Sequence, residues 1–216
     1  MKASTPLRRG FLFYTGRKLD FSIFMNSLLK SHSTSTKNMI ALYGNAPSHA
    51  EPNYRGKMAN ALQYDTTKSM RFCGMLKVIL NDGTATTQDS TLTVKNASNV
   101  LIAVSLATSF NGSLNNPATN GKDEKKIAVD YLNRLSINNY ALIKARHTND
   151  FSKFMKRVSL DLGASSKINS PIDQRLKNLA NGEVDNGLIS LYFQFGRYLM
   201  VSGSRTNGAP LNLQAI

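Results

Sequence analysis

Apolar residues alternate through the first half of the chain and recur at three-and-four spacing through the second, which predicts strands followed by helices. The clearest helical stripe is Leu188, Leu191, Tyr192, Phe195, Tyr198, Leu199 and Ser202. Asp185 or Asn186 opens it, Gly203 supplies a stop, and Pro210 forces an extended approach to Leu211 through Ile216. Shorter helical patterns precede it. Ile127, Tyr131, Leu135 and Leu142, with Ala128 and Leu132, form a stripe behind Asp123 and Glu124, two acids that favour a helix N-terminus. Phe151, Phe154, Met155 and Val158 mark a second helix. Ser170-Pro171-Ile172-Asp173 reads as a further start, with Ser170 at the cap, Pro171 first in the helix, and Leu176 and Leu179 facing inward.

In the first half, LDFSIFMNSLL from Leu19 has β-type texture and runs into a Ser/Thr/Lys turn. NMIALYG then makes a half-buried strand through Met39, Ile40, Leu42 and Tyr43. Residues 45–60 hold two prolines and Gly56 and read as a long loop. MRFCGMLKVIL puts Phe72, Gly74, Leu76, Val78 and Leu80 on one face, and Cys73, Met75, Lys77 and Ile79 on the other. Asn81-Asp82-Gly83 is a turn signal, with Gly83 free to take positive φ. TLTVKN and NVLIAVSLATSF predict two more strands joined at residues 96–99, the second buried on both faces. Five or so strands make an antiparallel sheet but too few for a complete sandwich. Residues 111–121 are rich in Asn and Gly and mark a boundary; residues 1–18 have no period and read as a disordered basic leader. The fold class is therefore α+β.

Several blocks carry a family resemblance. RHTNDFSKFMKRVSLDLG from Arg146, FQFGRYLMVSGSR from Phe193, PLNLQAI from Pro210 and APSHAEPNY from Ala46 stand in one order. Together they resemble glycoside hydrolase family 95, the inverting α-L-fucosidases, over roughly Phe21 to Ile216. The resemblance implies a partial β-sandwich over residues 19–110 and a helical linker over 111–183. Residues 184–216 would then hold the first helix of an (α/α)6 barrel. It implies hydrolysis of terminal α-L-fucosidic bonds of glycans, typically α-1,2, by inversion and without a cofactor. Such chemistry needs two carboxyl groups flanking the scissile bond. In the family a Glu acid, an Asp base and paired Asn side chains all follow the NLQ loop, so no residue here inherits a catalytic role. A truncated, inactive chain is the expectation. Asn212 and Gln214 are the candidate substrate-binding residues, because an amide can donate to and accept from sugar hydroxyls at once. Ala215 stands where the family carries glycine, and two loop residues bonded to backbone are the plainer alternative. Members are commonly extracellular or periplasmic, yet the only apolar run near the start is FLFY, short of a signal-peptide core.

Composition narrows the rest. The chain carries 27 Lys+Arg against 13 Asp+Glu, a net charge of +14. The basic residues are scattered, with no zinc-finger spacing or RNA-recognition motif, so nucleic acid is not an expected partner. No apolar run reaches the roughly 20 residues of a membrane span. Cys73 is the single cysteine and excludes an internal disulfide. His32, His49 and His147 lie far apart without metal-ligand spacing, so no metal is expected. His147 reads as structural, and Asp161 as paired with Arg157 or Arg175. Ser159, Ser202 and Ser204 lack a nucleophile elbow. Tyr192, Phe193, Phe195 and Tyr198 read as core rather than as a sugar-stacking platform. If neighbouring helices are missing, that face is exposed and self-association follows. The rival reading is a non-catalytic, basic β-plus-helix binding or interaction module.

Overall fold

The computed structural model describes residues 8–135 and 140–204. The chain divides into two compact units between Ala141 and Leu142. The first is built on an antiparallel sheet of β1 (Arg8–Phe24), β2 (Ser31–Thr36), β3 (Met39–Asn45), β6 (Arg71–Leu80), β7 (Thr84–Gln88) and β8 (Thr91–Thr108). Spatial order is β1-β8-β6-β3-β2, with β7 also on β8. A small separate ladder joins β4 (His49–Ala50) to β5 (Leu62–Gln63) and flanks a 3-10 turn at Asn53–Arg55.

The alternation of β6 sends Leu76 and Val78 into one core and Cys73 and Met75 into another. β8 does the same, with Leu92, Val94 and Val100 on the first side and Ala103 and Ala107 on the second. Among the described residues no second sheet closes the first core. The sheet curls instead, so that the tip between β7 and β8 returns to β2. There Ser90 Oγ donates to the Ser33 carbonyl at 2.9 Å, and Ser35 Oγ to that of Asp89. Helix α1 (Glu124–Asn133) covers the second core with Ala128 and Leu132, both fully buried. Asp123 caps it by accepting from the Lys126 N–H at 2.9 Å.

Several expectations change here. Strand β1 takes in residues 8–18, of which 8–14 pair with β8, rather than leaving them in a disordered leader; residues 1–7 of that leader lie outside the described residues. Ser31–Thr36 is a strand, not a turn; its hydroxyl-rich sequence suits an exposed edge, and the turn falls at Lys37 with φ 54°. Residues 91–108 form one strand, not two. Its kink is a bulge at Asn96, φ 55°, where the register with β1 shifts beside Leu19. The Asn/Gly-rich stretch is not the division between units, because α1 after it packs on the sheet. The Ser109 N–H bonds to the Arg71 carbonyl at 2.9 Å and the Lys122 N–H to the Ser109 carbonyl at 3.0 Å, holding that loop to β6.

Gly83 takes φ +78°, as the turn requires, and a Cβ there would sit 2.5 Å from the Lys95 carbonyl oxygen and 2.8 Å from the Ala97 nitrogen. Both neighbours are backbone and cannot swing away. Gly83→Ala is expected to destabilise the sheet unit by more than about 1 kcal/mol, read as a lower urea midpoint with the slope unchanged.

The second unit contains α2 (Tyr140–Met155), α3 (Ile172–Ala180) and α4 (Asn186–Gly203). Leu142 lies on α2, 60% exposed, and so does not extend the α1 stripe. Pro171, with ψ 142°, occupies the cap of α3 and Ile172 is its first helical residue, one position later than the sequence suggests. Ser170 does not cap that helix. Leu176 and Leu179 face outward at 53% and 37% exposure; the buried residue of α3 is Arg175. That inversion has an electrostatic cause, the pairing of Arg175 with the Asp185 carboxylate. No helix among the described residues is long and apolar enough to cross a membrane.

Candidate functional site

The two longest signature blocks of the sequence meet in the helical unit. A helix leaves its last carbonyls without intrahelical partners. At the end of α2 they are taken up by Arg197, which projects from the middle of α4. Its Nη2 donates to the Phe154 carbonyl at 3.2 Å, and its Nη1 to those of Met155 at 3.1 Å and Val158 at 2.5 Å. Gln194 Oε1 accepts from the same Nη1 at 2.6 Å and holds the guanidinium in place. Rings follow the same path: His147 stacks on Phe151 at 6.0 Å, Phe151 tilts against Tyr198 at 5.5 Å, and Tyr198 stacks on Phe195 at 6.3 Å.

A second clamp sits at the start of α4. Asp185 caps the helix by accepting from the Leu188 N–H at 3.0 Å. The same carboxylate receives Arg175 Nε at 2.8 Å and Nη2 at 2.9 Å, a two-pronged pair with both side chains buried. Ser165 Oγ adds a bond at 2.9 Å. Asn186 Nδ2 donates to the Leu162 carbonyl at 2.7 Å, which ties the SLDLG segment to α4. Gly187 makes the approach possible, since a Cβ there would meet the Ser165 Cβ at 2.7 Å. Arg175, hydrogen-bonded to Asp185, holds its carboxyl far below the ordinary aspartate range, against the opposing effect of desolvation.

These bonds commit the local carboxylates to structure. Asp161 pairs with neither Arg157 nor Arg175; it accepts from the Gly163 N–H at 2.9 Å in a local turn, where Gly163 takes φ +94°. Arg157 lies over the Phe154 ring at 5.5 Å and Glu183 bonds to Lys167. The aromatic stripe of α4 is not core within this unit. Leu188 is the buried residue of that helix, while Tyr192 is 78%, Phe195 52% and Tyr198 45% exposed. Asn212 and Gln214 lie outside the described residues.

In the sheet unit a polar groove with charged walls lies where β2, β3 and β6 meet the start of α1. His32 tilts on Tyr43 at 5.4 Å and the Lys125 ammonium sits 4.7 Å from that ring. Arg71 Nε donates to Glu124 Oε2 at 3.2 Å and Nη1 to the Ala118 carbonyl at 2.6 Å, so the charges are tied to the scaffold. Cys73 is buried and its thiol is pushed up to about 11 by desolvation and then by Glu124, which removes it as a nucleophile. His49 bonds to Glu51 at 2.9 Å. Among the described residues no three His, Cys, Asp or Glu side chains are grouped to hold a metal ion. Arg197, Arg175–Asp185 and Arg71–Glu124 were not singled out from sequence. The one available signal was an arginine interrupting an otherwise apolar helix, as Arg197 does in FQFGRYLM.

The comparisons with known proteins fall on the same two units. Residues 15–113 match the family described as Glycosyl hydrolase family 65, N-terminal domain. Residues 139–216 match Glycosyl hydrolase family 95 catalytic domain. The chain is 30% identical over 210 residues to "Alpha-L-fucosidase 2" of Arabidopsis thaliana, covering 92% of this chain and 25% of that protein. It is 25% identical over 134 residues to "Probable alpha-fucosidase A" of Aspergillus oryzae, covering 58% of this chain and 18% of that one. The chain thus spans about a quarter or less of the length of these relatives. The family 95 match of the helical unit, in a chain similar over 210 residues to an α-L-fucosidase, leads to one conclusion: residues 139–216 belong to the catalytic domain of glycoside hydrolase family 95.

Proposed function

We propose that these residues are part of an α-L-fucosidase-like hydrolase acting on terminal α-L-fucosides of glycans. The observation that carries the reading is the match of residues 139–216 to a family 95 catalytic domain, in a chain similar over 210 residues to an α-L-fucosidase. In this reading the curled sheet is a portion of a β-sandwich and α4 is the first helix of an (α/α)6 barrel. The exposed ring face of α4 is then the side on which further barrel helices pack. The loop holding Asn212 and Gln214 lines a sugar subsite, the two amides bonding to hydroxyls. An exported location accords with such a substrate.

The 216 residues alone are expected to lack turnover. Glycosidic cleavage needs an acid and a base facing each other across the bond, whereas Asp185, Asp161, Glu183 and Glu124 are each held in capping, turn or ion-pair contacts. Incubation with an aryl α-L-fucoside is expected to release no more aglycone than the heat-treated chain releases. Turnover by the isolated chain would overturn this assignment of its carboxylates. The open face of α4 further predicts association above the 23.8 kDa monomer in light scattering.

A further inference from the structure

Two Asn-x-Ser triplets occur in the chain, Asn96-Ala97-Ser98 and Asn111-Gly112-Ser113. Such a triplet is the acceptor signal for N-linked glycan transfer where it lies on a surface loop of an exported protein. The two differ in setting. In the first, Ala97 is fully buried in the sheet core and Ser98 Oγ donates to Asp82 at 2.7 Å. That triplet is built into the bulge of β8. The second lies in the connection between β8 and α1, and Asn111, Ser113 and Leu114 are all exposed, Leu114 almost completely. Gly112 takes φ +96°, which turns the chain sharply between acceptor and hydroxyl. Asn111 Nδ2 donates to the Asn120 carbonyl at 3.0 Å. A glycosylated amide keeps one N–H, which leaves a donor for that carbonyl.

We propose that Asn111 is an N-glycosylation site. Its amide nitrogen attacks the anomeric carbon of a lipid-pyrophosphate-linked oligosaccharide. A carbon–nitrogen bond forms, the anomeric carbon–oxygen bond breaks, and the lipid pyrophosphate and one proton leave. A glycan here stands over an exposed loop and displaces nothing from the core beneath α1. The inference rests on the exported location of the proposed function, so the test supplies export independently of it. The chain is fused behind a cleavable secretion signal and translated with microsomes that hold an oligosaccharyltransferase. The protease-protected product is expected to run slower than the untranslocated chain, by one endoglycosidase-sensitive step. Asn111→Gln and Ser113→Ala each abolish that step, while Asn96→Gln leaves it. A protected chain without the step, or a step lost only with Asn96→Gln, overturns the proposal. Neither readout depends on fucosidase activity.

Discussion

Arg175→Ala is expected to abolish the ordered state of the helical unit while leaving the sheet unit folded. The substitution leaves the Asp185 carboxylate buried without its cation, and a lone buried charge is among the most destabilising features a fold can contain. Asp185 also caps α4 and accepts from Ser165, so the loss reaches α4, the Ser165 segment and α3 together. Few apolar contacts compensate: α2 buries no residue and α4 buries only Leu188. In hydrogen exchange, the α3 and α4 amides should lose protection, while those of β6 and β8 keep theirs. The same pair sets a pH dependence. Asp185 has a folded pKa held below its unfolded value near 4. Its contribution is therefore fully present above about pH 4–5 and is lost as pH falls through the lower folded value. Acid should release the helical unit progressively below that window. Asp185→Asn should flatten this dependence while lowering stability at neutral pH. Equal protection of α4 in Arg175→Ala and parent would contradict the account.

Arg71→Ala is the corresponding experiment for the sheet unit. Glu124 is buried at the first turn of α1, with its side chain 5% exposed, and Arg71 is its cation. Arg71 also donates to the Ala118 and Lys122 carbonyls, fastening the loop ahead of α1 to β6. Its removal is expected to cost about 3 kcal/mol, the low end for breaking a buried pair, because Arg71 itself is 36% exposed. Glu124→Gln keeps the shape and removes the charge, and should cost less than Arg71→Ala. A urea midpoint unchanged in Arg71→Ala would show that α1 is held by Ala128 and Leu132 alone.

What could be read from the sequence follows from where the stabilising contacts are local. Periodicity located the strands around Ile40, Leu76 and Val100 and the helices around Leu132 and Phe195, since burial repeats with the element. Asp123, Asp185 and Gly83 were legible because capping and turn chemistry act within a few residues. The larger misses are long-range. The edge strand β2 has no apolar face and exists through pairing with β3. Residues 8–14 have no period of their own and are ordered by pairing with β8. Arg175 displaced Leu176 and Leu179 from the interior because its partner, Asp185, stands ten residues away beyond the end of α3. Arg197 meets α2 across about forty residues, a separation that no local pattern encodes. The family blocks were legible as resemblance, and the structure adds that two of them touch.

One measurement tests the central claim most directly. In alpha-L-fucosidase 2 of Arabidopsis thaliana, the 210-residue stretch similar to this chain can be exchanged for these residues. The hybrid is then assayed on an aryl α-L-fucoside after its cooperative melting has been verified. The account predicts release of fucose, lost again on Arg175→Ala. A hybrid that melts cooperatively yet releases no fucose would contradict the reading of this chain as part of an α-L-fucosidase-like hydrolase.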